Sequence, residues 1–374
     1  MPRGSAGAFA TGADTQGIAV KPSTRATDAA SGRADAVALA ACVAASRAYL
    51  RGRVGLFHGE GGANVFKAAL RRRAGALAAT DGSGAAAGGP PRLARPSGCD
   101  GGGCGGGGGG GGDTSANPTP PPPLVVDVGA NAGQGFSTWR SAFPGATIVA
   151  IEANPTLVAD LRWVAQRGAA GGVGRTHVIH KTVGAADGRA AVFRIPVHAR
   201  HGQTGGLWVG ATRPQPQKYK YVAVPVLPLD KLLAPPHTPA WLRPATNRTY
   251  PISILKTDVE GWDIPLLLSA PDTVASARFI LFECHALMAI PGGPGSTHAA
   301  AAAGLAAAGF EVYKLGRERS VRLDGPFAMA DMDEPGQMGW HNCAAVRRDE
   351  PLRVGVVREL GVLDECVGPY GVGS

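Results

Sequence analysis

The chain has few of the features that mark the common special classes of protein. None of its six cysteines forms a Cys-x-x-Cys pair, so nothing supports a zinc site. No apolar window is long enough to cross a bilayer, and the N-terminus has no apolar core of a secretory signal. Cys284 and Cys343 occur in apolar, strand-like segments, which predicts buried thiols in a reducing compartment.

The positive charge of the chain is concentrated near its N-terminus. The net charge is +9, and residues 1–80 hold eleven Lys/Arg against four Asp/Glu. No basic patch is interleaved with aromatic residues, as nucleic-acid surfaces usually are. We therefore expect a solvated basic arm and no nucleic-acid partner.

Residues 1–123 have the composition of a disordered, low-complexity arm. They are rich in Ala, Gly, Ser and Arg, with eight consecutive glycines at 105–112 and a proline run at 120–123. Polyglycine buries no side chain and loses the most entropy on folding, and a proline run forms a stiff spacer. The Arg/Ala/Ser-rich start resembles a transit peptide, which predicts an organellar protein, and the alternative is a cytoplasmic one. Because no window spans a bilayer, we expect the protein to be soluble. We place a folded domain at 124–350 and a C-terminal tail at 351–374.

From residue 124 onward, strand-like and helix-like segments alternate. The predicted strands are Leu124–Val128, Thr147–Glu152, Thr176–Val183, Ala190–Ile195, Tyr221–Val226, Ile252–Asp258, Arg278–Glu283, Phe310–Leu315 and Asn342–Val346. The predicted helices are Gly135–Ala142, Pro155–Arg167, Leu229–Leu233, Ile264–Ser269 and Thr297–Ala308. This alternation predicts an α/β fold with a mostly parallel sheet, helices on both faces and an antiparallel pair at its end.

The first predicted strand leads into a glycine-rich turn that suits a nucleoside cofactor. The stretch 125–136 reads VVDVGANAGQGF, and Gly129 and Gly133 let a ligand approach bare backbone. The next strand ends in Glu152, 25 residues after Asp127, where an acid can hold a ribose diol. Asn131 replaces the second glycine of the dinucleotide fingerprint. Asp127 would repel a pyrophosphate but suits the methionine end of S-adenosylmethionine.

Two later strands end in charged residues. Lys256, Asp258 and Glu260 alternate along one side of a strand and its extension, and Glu283 and His285 end the following strand. Ligands of open α/β sheets bind at the carboxyl ends of the strands, so these side chains are candidates for acceptor binding and proton transfer. A structural ion network is the alternative.

Four motifs in order resemble the FkbM-type methyltransferase family. They are D-V-G-A-N-x-G at Asp127, Gly129, Ala130, Asn131 and Gly133; E-x-N-P at Glu152 and Asn154; K-x-D-x-E-G at Lys256, Asp258 and Glu260; and a glycine turn containing Asp187. The resemblance implies a class I methyltransferase, Rossmann-like fold that binds S-adenosyl-L-methionine. It also implies methyl transfer, usually to a hydroxyl oxygen of a small-molecule, lipid or glycan acceptor.

The motifs of this resemblance and the chemistry of the side chains together give each candidate residue an expected role. The cofactor would be bound by Asp127, Gly129, Ala130, Asn131, Gly133, Glu152, Asn154 and Asp187. Asp258 is the first candidate base, His285 the second, and Lys256 would polarise the acceptor or neutralise Asp258. Glu260 and Glu283 would contact the substrate, and no metal is assigned, although Asp258, Glu260 and Glu283 could hold magnesium. An NAD-dependent dehydrogenase and a non-catalytic scaffold are the alternatives.

Overall fold

The structure is a computed structural model. It describes residues 40–41, 43–44, 61–73, 122–170, 174–185, 190–197, 206–208, 214–234, 237, 252–284, 297–325, 327–328 and 341–362. The helices are α1 Gly61–Arg72, α2 Gln134–Ala142, α3 Pro155–Ala170, α4 Leu229–Leu233, α5 Asp263–Leu268, α6 Pro271–Ser276, α7 His298–Ala307 and α8 Arg353–Glu359. The strands are β1 Leu124–Val128, β2 Thr147–Glu152, β3 Thr176–His180, β4 Thr182–Val183, β5 Ala190–Pro196, β6 Gly206–Trp208, β7 Tyr219–Leu227, β8 Ile252–Thr257, β9 Ala277–Glu283, β10 Phe310–Lys314, β11 Val321–Arg322 and β12 Asn342–Arg347.

The main sheet has the strand order β11-β10-β12-β9-β8-β1-β2-β3. Strands β3, β2, β1, β8 and β9 are parallel, while β12 runs antiparallel to both β9 and β10. The prediction of a mostly parallel sheet closed by an antiparallel pair is confirmed. Strands β2 and β3 follow β1 on one side of it, and the chain then returns to place β8 on the other side of β1. Such a reversal opens a crevice at the carboxyl ends of the two strands, where ligands bind.

Alternate residues of the central strands enter two separate cores. Val126 and Val128 of β1 belong to the core under α4–α7, whereas Val125 belongs to the core under α1, α2, α3 and α8. Successive side chains of a strand point to opposite faces, so a strand covered on both faces needs an unbroken apolar run. That requirement explains the composition of β1 and β2, of which every residue is buried.

Helix α1 corrects the prediction that residues 1–123 form a disordered arm. Ala63, Phe66, Ala69 and Leu70 lie on one face of α1 and are buried in the core. The Phe66 ring meets Phe279 of β9 edge-on, with centroids 6.3 Å apart. The sequence around this apolar face is rich in alanine, and the spacing of alanines alone gives a weak helical pattern. For this reason the helix was not predicted. The domain boundary at residue 124 stays a prediction, but residues 61–73 pack with the domain.

The predicted C-terminal tail also contributes to the fold. Helix α8 lies within 351–374 and buries Val356 in the same core as α1. Glu359, the last residue of α8, forms ion pairs with Arg72 of α1 and with Arg73, the residue that follows this helix. The two helices outside the predicted domain therefore hold each other against the sheet.

One predicted strand is divided in the structure, and two elements were not predicted. The predicted strand 176–183 is divided: β3 stays in the main sheet, while β4 pairs with β7 in a second sheet of order β4-β7-β5-β6. After the predicted helix Ile264–Ser269 the structure has a further helix, α6. Pro271 begins it, since proline lacks only an N–H that the first turn would leave unbonded. Strand β6 lies between the predicted strands Ala190–Ile195 and Tyr221–Val226, where no strand was predicted.

The prediction of buried thiols at Cys284 and Cys343 is wrong, because the two residues form a disulfide. The antiparallel register places Asn342 of β12 opposite Glu283 of β9, and this brings the two neighbouring cysteines together. No helix of the described residues is both long and apolar enough to cross a membrane. The transit-peptide prediction concerns the N-terminus, of which residues 1–39 lie outside the described residues.

Candidate functional site

The turn after β1 brings bare backbone to the crevice between β1 and β8. Gly129 has φ +73°, and a Cβ there would lie 1.9 Å from the backbone oxygen of Asp258. The N–H groups of Gly129 and Ala130 both donate to the carbonyl of Ile151, at 2.9 and 3.1 Å. Asn131 also has a positive φ, of 52°. The sequence folds this way because only residues tolerant of the left-handed region can keep the turn this close to both neighbouring strands.

Asp127 supports this turn from below. Its side chain is 1% exposed and receives the indole N–H of Trp139 at 3.2 Å. Lys256 lies 3.1 Å from Asp127 and 3.3 Å from Asp258, and it donates to the Gly129 carbonyl at 3.2 Å. Burial lowers the pKa of Lys256, but the two carboxylates outweigh burial and raise the pKa above its ordinary value. This lysine is therefore a fixed cation that joins the two strand ends.

Glu152 points toward the glycine turn, as the cofactor prediction requires. One carboxylate oxygen accepts the N–H of Asn131 and the other accepts the N–H of Asn154, both at 2.7 Å. Burial raises the pKa of Glu152, although these N–H groups and the charge of Lys256 lower it. Each oxygen keeps a further lone pair that can accept a hydroxyl from a ligand.

Asn154 presents an unused donor next to Glu152. Its side-chain oxygen accepts from the N–H and the hydroxyl of Thr156, at 3.0 and 2.8 Å. Its Nδ2 is buried and has no hydrogen-bond partner in the described part of the chain. Buried donors are nearly always bonded, so this atom indicates a place for a ligand.

A group of acids lies at the ends of β8 and β9. Burial, and then repulsion from Asp258 and Asp263, raises the pKa of Glu260 to about 8. Burial and the charge of Asp258 raise the pKa of Asp263 to about 7, and the Asp263 carboxylate accepts the N–H of Val259. Burial and the neighbouring carboxylates also raise the pKa of Glu283 far above its ordinary value. The side chain of Asp258 is 43% exposed, whereas Asp263 and Glu283 are buried.

These features surround one cleft of about 470 Å³. It is lined by Lys67, Gly129, Ala130, Asn131, Gln134, Gly135, Thr138, Ile151, Glu152, Ala153, Asn154, Leu157, Lys181, Thr182, Val183, Phe193, Gly206, Lys256, Thr257, Asp258, Val259, Glu260, Leu281, Glu283 and Asn342. A cleft of this size accommodates a nucleoside with an amino-acid side arm. In this cleft, which opens between the two sheets, the acids of β8 and β9 lie at one end and Glu152 lies at the other.

Most of the predicted site residues meet in this cleft, with four exceptions. Asp127 and Gly133 do not line it, because Asp127 is buried beneath the turn and Gly133 packs against Leu161 of α3. Asp187 and His285 lie outside the described residues.

Sequence reasoning missed several residues of the cleft. Lys67 comes from α1, Lys181 and Thr182 from the junction of β3 and β4, Phe193 from β5, and Asn342 from β12. The alanine-flanked apolar face of α1 was the one sequence signal that could have indicated Lys67.

The three acids considered for magnesium do not form a compact ligand set. Among the described residues, Cys284, His298 and Cys343 are the only three that bring possible ligand atoms within 4.8 Å of one another. Both sulfur atoms are bonded to each other in the disulfide.

The model of the methyltransferase FkbM domain matches residues 127–312. No curated protein sequence matches the chain. Among solved structures, the chain is similar to cofactor-bound Rv0187 from MTB, with 14% identity, 61% of this chain and 73% of that chain covered, and a TM-score of 0.30. The O-methyltransferase TomG from Streptomyces achromogenes shares 10% identity over 61% and 74% of the two chains, with a TM-score of 0.27. Structural similarities with identities and TM-scores this low give no information about function.

Proposed function

Because the chain carries a methyltransferase FkbM domain over residues 127–312, with the class I methyltransferase fold expected from its sequence, we propose that it transfers the methyl group of S-adenosylmethionine to a hydroxyl oxygen. The observation that carries the proposal is the cleft at the β1/β8 crevice, where bare backbone and an inward-facing Glu152 lie opposite a group of acids. This arrangement separates a nucleoside end from an acceptor end.

The residues at the nucleoside end fit the cofactor. The carboxylate of Glu152 would accept both ribose hydroxyls, and the free Nδ2 of Asn154 would donate to the nucleoside. Gly129, Ala130 and Asn131 would border the cofactor with backbone, since the turn that they form lines the cleft. Asp127 and Gly133 would act indirectly, by fixing the shape of the turn, and a role for Asp187 stays a prediction.

Asp258 is the candidate general base. S-adenosylmethionine supplies a methyl group that its sulfonium already activates, so the protein must align the acceptor oxygen and remove its proton. Positioning of this kind can contribute about 7–11 kcal/mol, and a general base about 10²–10⁴-fold in rate. The open carboxylate of Asp258 lies on the cleft, and Lys256 at 3.3 Å fixes its position. His285 stays the second candidate.

The acceptor would be a polyhydroxylated small molecule, lipid headgroup or glycan. Glu260 and Glu283 line the acceptor end, and their raised pKa values keep them protonated near neutral pH. A protonated carboxyl both donates and accepts a hydrogen bond, as a hydroxyl does. Two such groups beside Asp258 would orient an alcohol without attracting a cation.

The test is transfer of label from S-adenosylmethionine to fractionated extract. We expect the full chain to label an alcohol-containing fraction, and Asp258→Asn to lower the rate at least 100-fold while S-adenosylhomocysteine binds as before. Asp160→Asn, on the exposed surface of α3, is the matched control and should keep full activity. Full activity in Asp258→Asn would remove this residue from the role of base.

A further inference from the structure

The cleft is lined by many carboxyl groups and by three cations. Lys256 forms ion pairs with Asp127 and Asp258 at the ends of β1 and β8. Lys181 follows β3, and its N–H donates to the carbonyl of Glu152, which places it at the nucleoside end. Lys67 is the third cation, and it comes from α1, outside the residues 127–312 that the family model matches.

Lys67 reaches the cleft beside the first turn of α2. It lines the cleft together with Gln134, Gly135 and Thr138 of that helix, and its Nζ lies 5.9 Å from the centre of the Trp139 ring. Gly133 caps α2 without any side-chain hydrogen bond, so the first N–H groups of the helix receive no side-chain acceptor there. A helix N-terminus and a neighbouring lysine together favour an anionic ligand group.

The backbone of α1 holds Lys67 firmly in this place. Phe66, the preceding residue, is fully buried against Phe279, and Arg72 and Arg73 at the end of the helix pair with Glu359 of α8. A lysine on a fixed helix loses less freedom on binding than one on a loose segment.

We infer that Lys67 binds the α-carboxylate of the methionine part of S-adenosylmethionine. The inference rests on the proposed function. With the ribose at Glu152 and the methyl group directed to Asp258, the amino-acid arm extends over the glycine turn toward the start of α2. Its carboxylate there meets Lys67, which makes α1 part of the cofactor site and not only of the core.

The experiment compares two ligands that differ in this carboxylate. S-adenosylhomocysteine carries the amino-acid arm, while 5′-methylthioadenosine keeps the nucleoside and thioether without it. Hydrogen bonds to charged groups contribute about 1.5–3 kcal/mol, which corresponds to about 10- to 150-fold in affinity. By calorimetry on the full chain, Lys67→Met should weaken S-adenosylhomocysteine at least 10-fold and leave 5′-methylthioadenosine unchanged. Lys67→Arg should recover most of the lost affinity.

Lys181→Met is the matched control, because it removes a cation from the other end of the cleft. It should not change the ratio of the two affinities. Equal S-adenosylhomocysteine binding by Lys67→Met and wild type would overturn the inference, and so would an equal loss for both ligands, which would indicate a structural role. If Lys67→Met does not fold, Lys67→Gln gives the same ratio of affinities. Failure of the wild type to bind either ligand would instead refute the proposed function itself.

Discussion

Replacement of Gly129 by alanine should damage both stability and cofactor binding. The new Cβ would lie 1.9 Å from the backbone oxygen of Asp258, and the φ of +73° is unfavourable for any residue with a Cβ. The Asp258 N–H is bonded to the Val128 carbonyl at 3.0 Å, so the strand ends cannot separate without losing this bond.

The magnitude follows from these two effects. The left-handed conformation costs about 1–2 kcal/mol for an L-residue, and forcing extra atoms into a packed region costs about 1–3 kcal/mol. The free energy of unfolding of Gly129→Ala should therefore fall by about 2–5 kcal/mol, as measured by urea denaturation. S-adenosylhomocysteine affinity should fall as well, because the turn must move into or away from the cleft.

Gly145→Ala is the matched control. Gly145 lies on an exposed turn, and no heavy atom lies within 4 Å of its added Cβ. Its stability should change by no more than about 0.5 kcal/mol. If Gly129→Ala unfolds at the same urea concentration as Gly145→Ala and binds the ligand equally well, the close approach of the turn to β8 is not real.

Three further substitutions test the fold around the site. Phe66→Ala should lower the free energy of unfolding by about 3–5 kcal/mol in urea, whereas exposed Asn64→Ala should not, if α1 is part of the core. The double change Cys284→Ala/Cys343→Ala should lower it by about 2–4 kcal/mol, and dithiothreitol should remove that difference by destabilising the wild type alone. Burial and neighbouring carboxylates raise the pKa of Glu283, so the folded state keeps a proton that the unfolded state releases above about pH 4.5. Stability should hence decline as pH rises from there through neutrality, and Glu283→Gln should flatten the decline; an unchanged slope would contradict this ionisation.

The sequence predicts those parts of the site that are formed by residues close together in the chain. An apolar run followed by Gly129 or Glu152 indicates a strand and its carboxyl end, and parallel strands bring such ends to one edge. The cofactor turn and the acids at Asp258 and Glu260 could therefore be placed without the structure. Each depends on residues within one strand and the turn after it.

The remaining features depend on contacts between distant segments. Lys67 enters the cleft only because α1 packs on the sheet. This helix ends more than 50 residues before β1 begins in the chain. The disulfide requires β12 to insert antiparallel beside β9, which no spacing of Cys284 and Cys343 indicates. Asp127 has the motif position of a ligand-binding acid, yet its burial under the turn is set by Trp139 and Lys256.

Calorimetric titration of the full chain with S-adenosylhomocysteine is the most direct measurement of whether the β1/β8 crevice is a sulfonium-nucleoside site. We expect saturable binding of a single molecule per chain and no heat from NAD under the same conditions. Binding of NAD in preference to S-adenosylhomocysteine, or no binding of either, would contradict the assignment of the cleft.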